Sequence, residues 1–184
     1  VIKMDLNWKL NKTEHIVQDE WIDFRKESFI LPDGKEFSPF YNYSRRNFVV
    51  IIAKTKDGKY ITVRQFRHGL KKVTTEFCAG GIEGSEHESA LLAAKRELEE
   101  ETGYISDNWK HIYTIPSNPT IADNYAFLYY ADNCEKVSNQ HLDSTEFLEV
   151  KEYTEDEIND LIKNNKFVQP IHLMGWLMVK KGVL

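Results

Sequence analysis

The chain of 184 residues has little cysteine, no long run of lysine or arginine, and no long apolar stretch. Its two cysteines, Cys78 and Cys134, form no Cys-x-x-Cys pair, so nothing suggests a disulfide framework. Both stand in apolar segments and are expected to be inert core thiols. The missing basic run argues against nucleic acid as the main partner, because gripping a phosphate backbone usually leaves a basic footprint. A formal net charge of -5 still permits a small phosphorylated ligand whose charge bound cations neutralise. No segment approaches the ~20 apolar residues of a membrane span. The opening VIKMDLNWKLNKTEH is too polar for a secretory signal. A soluble, cytoplasmic protein is the expectation. Internal repeats and low-complexity tracts are absent, and the six histidines show no ligand spacing.

What is present is enough apolar side chain for a sizeable core: 41% of residues are hydrophobic and 12% aromatic. Turn chemistry divides the chain. FRKESFILPDGKEFSPFYNY carries Pro-Asp-Gly between two aromatic-rich runs and reads as a hairpin. FVVIIAK and YITVRQF flank Asp57-Gly58 and read as a second, whose first strand is apolar throughout and so buried on both faces. A strand from about Val73 to Cys78 leads into Gly80-Gly81, and a helix follows from about Glu88 to Thr102, stopped by Gly103. HIYTI, YAFLYYA and EFLEV read as strands. Thr154 to Glu157 is a capping box opening a helix that runs to about Asn164. Gln169-Pro170 opens a last helix with Ile171, Met174 and Leu177 on one face. Strands with interspersed helices imply a layered α/β (α+β) domain. A small N-terminal β extension is expected over 1–46 and the main domain over 47–184.

The central helix raises a chemical question. At about 100° per residue, Glu97 and Glu101 fall on the side of Ala90, Leu91, Ala94 and Leu98, with Glu100 at its margin. Carboxylates seldom enter such a face unpaired, and two of them one turn apart repel. A divalent cation removes both penalties, and oxygen-only ligands suit Mg²⁺ or Mn²⁺. The plainer alternative is a solvated helix with pairs such as Arg96-Glu100. Geometry alone leaves both open.

The same stretch resembles the Nudix box, GX5EX7REUXEEXGU with U a bulky aliphatic. Glu88, Arg96, Glu97, Leu98, Glu100, Glu101 and Gly103 match in spacing. Ile82 stands where the box has its first glycine, so the loop GGIEGSEH is lengthened, and Tyr104 replaces the final aliphatic. Within the family the chain is most similar to the ADP-ribose pyrophosphatase group, through VRQFRHG, TEFCAGG and Pro119, fifteen residues after Tyr104. That group usually has glycine where Thr120 stands and glutamate where Asn124 stands. The resemblance implies an α/β/α sandwich with a mixed sheet and a small N-terminal antiparallel β extension. It also implies Mg²⁺- or Mn²⁺-dependent hydrolysis of ADP-ribose or an ADP-sugar to AMP and a sugar phosphate, without nucleic-acid or membrane partners. Glu97, Glu101, Glu100 and the Ala79 carbonyl would be metal ligands. Arg96 and Glu88 would orient helix and loop. Glu146 would be the general base, with Asp143 and Glu149 as rivals. Arg67 would contact phosphate, with His68 beside it, and Trp21 would stack on adenine, often across a homodimer. Another diphosphate substrate, such as a dinucleotide, and a non-catalytic nucleotide sensor are the alternatives.

Overall fold

A computed structural model describes residues 5–83 and 89–182. It divides into two compact units, residues 1–46 with 116–124 and residues 47–115 with 125–184. The first unit thus takes in Pro116–Asn124, a loop that a linear division at residue 46 leaves with the main domain.

The first unit is an antiparallel sheet of β1 (Lys9–Gln18), β2 (Asp23–Ile30) and β3 (Glu36–Ser44), in that order. β2 and β3 form the first expected hairpin. Its turn closes with the Leu31 N–H on the Lys35 carbonyl at 2.8 Å, and Gly34 takes a φ of 85°. β1 is an additional strand. It is almost wholly exposed, and its apolar Leu10, Ile16 and Val17 do not alternate with period two, so no pattern betrays it in the sequence. Trp8 packs edge-on against Phe29, Phe37 and Phe40 with centroids 6.0, 6.4 and 6.0 Å away. Arg25 links Asp23, Glu27 and Asp123, tying the 116–124 loop to the sheet. Asn124 is buried there, donating to the Arg46 carbonyl at 3.0 Å and accepting from Ser117.

The second unit is built on β4 (Phe48–Thr55), whose residues Val49 to Ala53 are fully buried. It pairs antiparallel with β5 (Tyr60–Arg67) through the Asp57-Gly58 turn and parallel with β10 (Tyr125–Lys136). β6 (Lys72–Glu76) pairs with β5 and β7 (Cys78–Gly81) with β4, so the strand expected from Val73 divides at Phe77. β8 (Tyr104–Ile105) and β9 (Asn108–Pro116) join β10, and β11 (Leu148–Tyr153) joins β5, completing a mixed sheet. Alternation along β4 sends Val49, Ile51 and Ala53 to a core under α1 (Ala90–Thr102). Val50 and Ile52 go to a second core with Phe77, Ile158 and Trp176 under α2 (Glu155–Lys163) and α3 (Pro170–Lys180). This is the expected α/β/α sandwich with a mixed sheet.

The helix ends follow their capping chemistry. Ser89 caps α1 through the Leu92 N–H at 3.3 Å, and Gly103 ends it in the left-handed region at φ 75°. Thr154 and Glu157 form the capping box of α2. On α3 Ile171 and Met174 of the expected face pack against the core, but Leu177 does not. His172, Gly175 and Trp176 are buried, while Leu177 is half exposed. The reason is Gly175: a Cβ there would sit 2.9 Å from Leu128 and 3.0 Å from Ile52, so the helix beds on the sheet along its glycine. Among the described residues no helix is long and apolar enough to cross a membrane.

Candidate active site

α1 presents two kinds of carboxylate. Glu97 and Glu101 lie on its packed side with Ala93, Ala94 and Leu98, at 9% and 4% exposure. Glu100 is more open and forms the plain helix-surface pair with Arg96 at 2.9 Å. The two readings of the helix therefore apply to different residues. Arg96 also donates to Glu97 at 2.9 Å and to the Gly81 carbonyl at 3.1 Å, fastening α1 to the end of β7. Glu88, its expected partner, lies outside the described residues.

β7 is the other wall. The Ala79 N–H donates to Glu101 Oε2 at 3.3 Å. The N–H and C=O of an extended residue project to the same edge of its strand, so the Ala79 carbonyl lies on that edge too. Gly80 makes room for Glu97: a Cβ on it would lie 2.0 Å from the Glu97 carboxyl carbon. The Cys78 thiol donates to the Glu97 carbonyl at 3.4 Å, and burial holds its pKa well above the usual thiol range. Burial also raises the Cys134 thiol to about 11, so both cysteines are unreactive.

Burial sets the electrostatics of the pair. It pushes Glu101 up to about 8, with the neighbouring charges of Glu97 and Glu146 adding to the rise. It pushes Glu97 up to about 7 against the pull of Arg96, and Glu146 again adds. Glu146 precedes β11 as expected, and its Oε2 accepts from the Asp143 N–H at 3.1 Å. Its loop is pinned to α1 by contacts not anticipated from sequence. Gln140 donates to the Glu101 carbonyl at 2.8 Å, and the His141 N–H donates to the Glu100 carbonyl at 2.8 Å. These bonds satisfy carbonyls that the helix end leaves unpaired. Glu149, on β11, is exposed and pairs with Arg64 at 2.8 Å. Glu146 lines an open cavity of about 550 Å³ with Arg64, Phe66, Leu142 and Phe147. A cavity of about 570 Å³ between α2 and α3 holds none of the α1 carboxylates.

The donors present fit a hard divalent cation. Two buried carboxylates one turn apart, a half-buried third and a strand edge give oxygen ligands only, and the space over Gly80 lets Glu97 approach the backbone. Among the described residues no three acidic, imidazole or thiol groups converge on one point, and Arg96 bridges Glu97 and Glu100. Arg67, at the end of β5, is engaged by the buried Glu76. His68 next to it is exposed. In the N-terminal unit Trp21 is 62% exposed, with the Arg46 guanidinium 5.4 Å from its ring centroid.

The NUDIX domain family matches residues 43–172. The chain is 32% identical to the ADP-ribose pyrophosphatase of Bacillus subtilis (strain 168), over 92% of each protein. It is 33% identical to the methanol dehydrogenase activator of Bacillus methanolicus, over 86% of this chain and 84% of that one. A crystal structure of an ADP compounds hydrolase superposes with a TM-score of 0.82 over 98% of this chain and 97% of its own, at 18% identity, a likeness of fold. The chain belongs to the Nudix family. It is a hydrolase of that family, resembling its ADP-ribose pyrophosphatase group.

Proposed function

We propose that this Nudix hydrolase cleaves the diphosphate of ADP-ribose or a related ADP-sugar, releasing AMP and a sugar phosphate. The observation that carries the reading is the buried Glu97–Glu101 pair against the Ala79–Gly80 backbone, beside the Glu146 loop. Glu97, Glu101, Glu100 and the Ala79 carbonyl would hold Mg²⁺ or Mn²⁺, which when bound supplies charge neutralisation and Lewis acidity at the phosphates. Glu146 takes the proton of the attacking water on its carboxylate. The water oxygen bonds to one phosphorus as the P–O–P bridge breaks, and the bridging oxygen leaves with the other phosphate. Arg67 donates to a phosphate oxygen with its planar fork. Trp21 offers its exposed ring to the adenine, and the exposed aromatic sheet of the N-terminal unit is the face by which two copies would pair. A cytoplasmic setting suits two free, buried thiols.

A substrate panel tests the proposal: ADP-ribose, ADP-glucose, a dinucleotide and ATP, each with Mg²⁺. ADP-ribose or ADP-glucose is expected to show the highest kcat/KM. ATP turning over as fast would refute the assignment, and a dinucleotide preference would move it to the alternative substrate.

A further inference from the structure

Glu76, the last residue of β6, is fully buried, and its hydrogen bonding is lopsided. Arg67 donates to it from Nε at 2.7 Å and approaches from Nη2 at 2.6 Å, and both contacts fall on Oε1. Burial raises its pKa against the pull of Arg67 and, more weakly, of Gln169 and Gln65, and among the described residues Oε2 has no hydrogen-bond partner. The neighbouring Thr74 hydroxyl is likewise without a partner. A buried carboxylate with an orphan oxygen calls for a reason, since an apolar residue would fill the place without that penalty. The adjacent Phe77, and Val63 opposite on β5, are fully buried hydrophobics, so the core does not require an acid here.

What the acid does supply is a grip on two of the three guanidinium nitrogens of Arg67. Arg67 ends β5, its side chain keeps 34% of its surface exposed, and the residues after it are exposed. An unrestrained arginine there would lose rotamer freedom each time it met a ligand. His172 does not compete for the carboxylate. It is buried and neutral, and its Nδ1 accepts from the Phe77 N–H at 3.2 Å. We infer that Glu76 is a positioning residue, which fixes Arg67 by Nε and Nη2 so that Nη1 is set for a phosphate oxygen. The inference rests on Arg67 being a phosphate contact.

Glu76→Gln keeps the size and removes the charge. KM for ADP-ribose is expected to rise about tenfold, the effect of freeing one long side chain, with kcat within about twofold. Tm is expected not to fall, because Arg67 can return to water and a buried charge is gone. On an Arg67→Ala background the substitution is expected to add nothing. An unchanged KM overturns the inference, and so does a further rise on that background. Should the variant fail to fold, Arg67→Lys reads the same point. Its single ammonium cannot hold Glu76 and phosphate together, so KM should rise alike, and an unchanged KM overturns it. If wild type turns over no diphosphate, binding of inorganic pyrophosphate by calorimetry replaces KM. Tenfold weaker binding in Glu76→Gln then supports Glu76 although the activity reading has fallen, and equal or absent binding overturns both.

Discussion

Replacing Glu101 by glutamine should change how stability depends on pH. Glu101 is 4% exposed and burial raises it to about 8, from 4.5 when unfolded. Between these values the native state holds a proton that the unfolded chain releases. The sign is therefore fixed: stability is lost as pH rises from about 4.5 through about 8, and the loss levels off above that. One pKa unit corresponds to about 1.36 kcal/mol, so the two units from pH 6 to pH 8 amount to roughly 2.5 kcal/mol for this residue. At this chain length that corresponds to about 5–10 °C in Tm. Glu101→Gln removes the titration but keeps the shape. Thermal unfolding in a chelator at pH 6 and pH 8.5 should show wild type losing markedly more stability than the variant. Mg²⁺ should restore wild type chiefly at the higher pH, since binding needs the ionised carboxylates. Parallel losses in the two proteins would refute the buried-carboxylate argument.

Other expectations follow from the same geometry. Gly80→Ala places a methyl group where the Glu97 carboxyl now sits, at 2.0 Å. Because the displaced atoms end a flexible side chain, the stability change should stay near 1 kcal/mol, while Mg²⁺-dependent stabilisation is lost, as a titration of Tm against Mg²⁺ would show. Glu146→Gln should lower kcat by about 10²–10⁴-fold, the range for general-base removal, whereas Glu149→Gln, which loses only its exposed pair with Arg64, should retain activity in the same assay. Burial lowers His172 to about 3, so its contribution is complete above pH 6.5 and falls as the unfolded chain protonates below it. Near pH 5 the loss should be about 2 kcal/mol, read as a drop in the urea midpoint that His172→Asn lacks.

The sequence carried the site's chemistry further than its geometry. Helical period alone put Glu97 and Glu101 on the packed side of α1, and glycine and capping residues marked both hairpin turns, the C-terminal end of α1 and the N-terminal end of α2, because these signals are local. Contacts between distant segments left no such trace. The bed that Gly80 provides for Glu97 and the Arg67–Glu76 pair depend on β6 and β7 leaving for different partner strands at Phe77, and the pinning of the Glu146 loop by Gln140 joins that loop to the end of α1. On α3 Ile171 and Met174 face the core as their spacing implies, and Leu177 departs for a related reason. Leu177 matches the helical period, but the sheet receives the helix along Gly175, and a missing side chain gives no hydrophobic signal. Asn124, a departure from the group's usual glutamate, is buried and hydrogen-bonded to Ser117 and Arg46 within the N-terminal unit.

The most direct test of the central claim, that the α1 carboxylates hold a cation against a diphosphate, is AMP release from ADP-ribose with Mg²⁺ by wild type and Glu101→Gln under identical conditions. The account predicts release by wild type that stops when Mg²⁺ is chelated, and a loss of at least a hundredfold in the variant, on the order of one essential electrostatic contact. Undiminished release by a folded Glu101→Gln would contradict it.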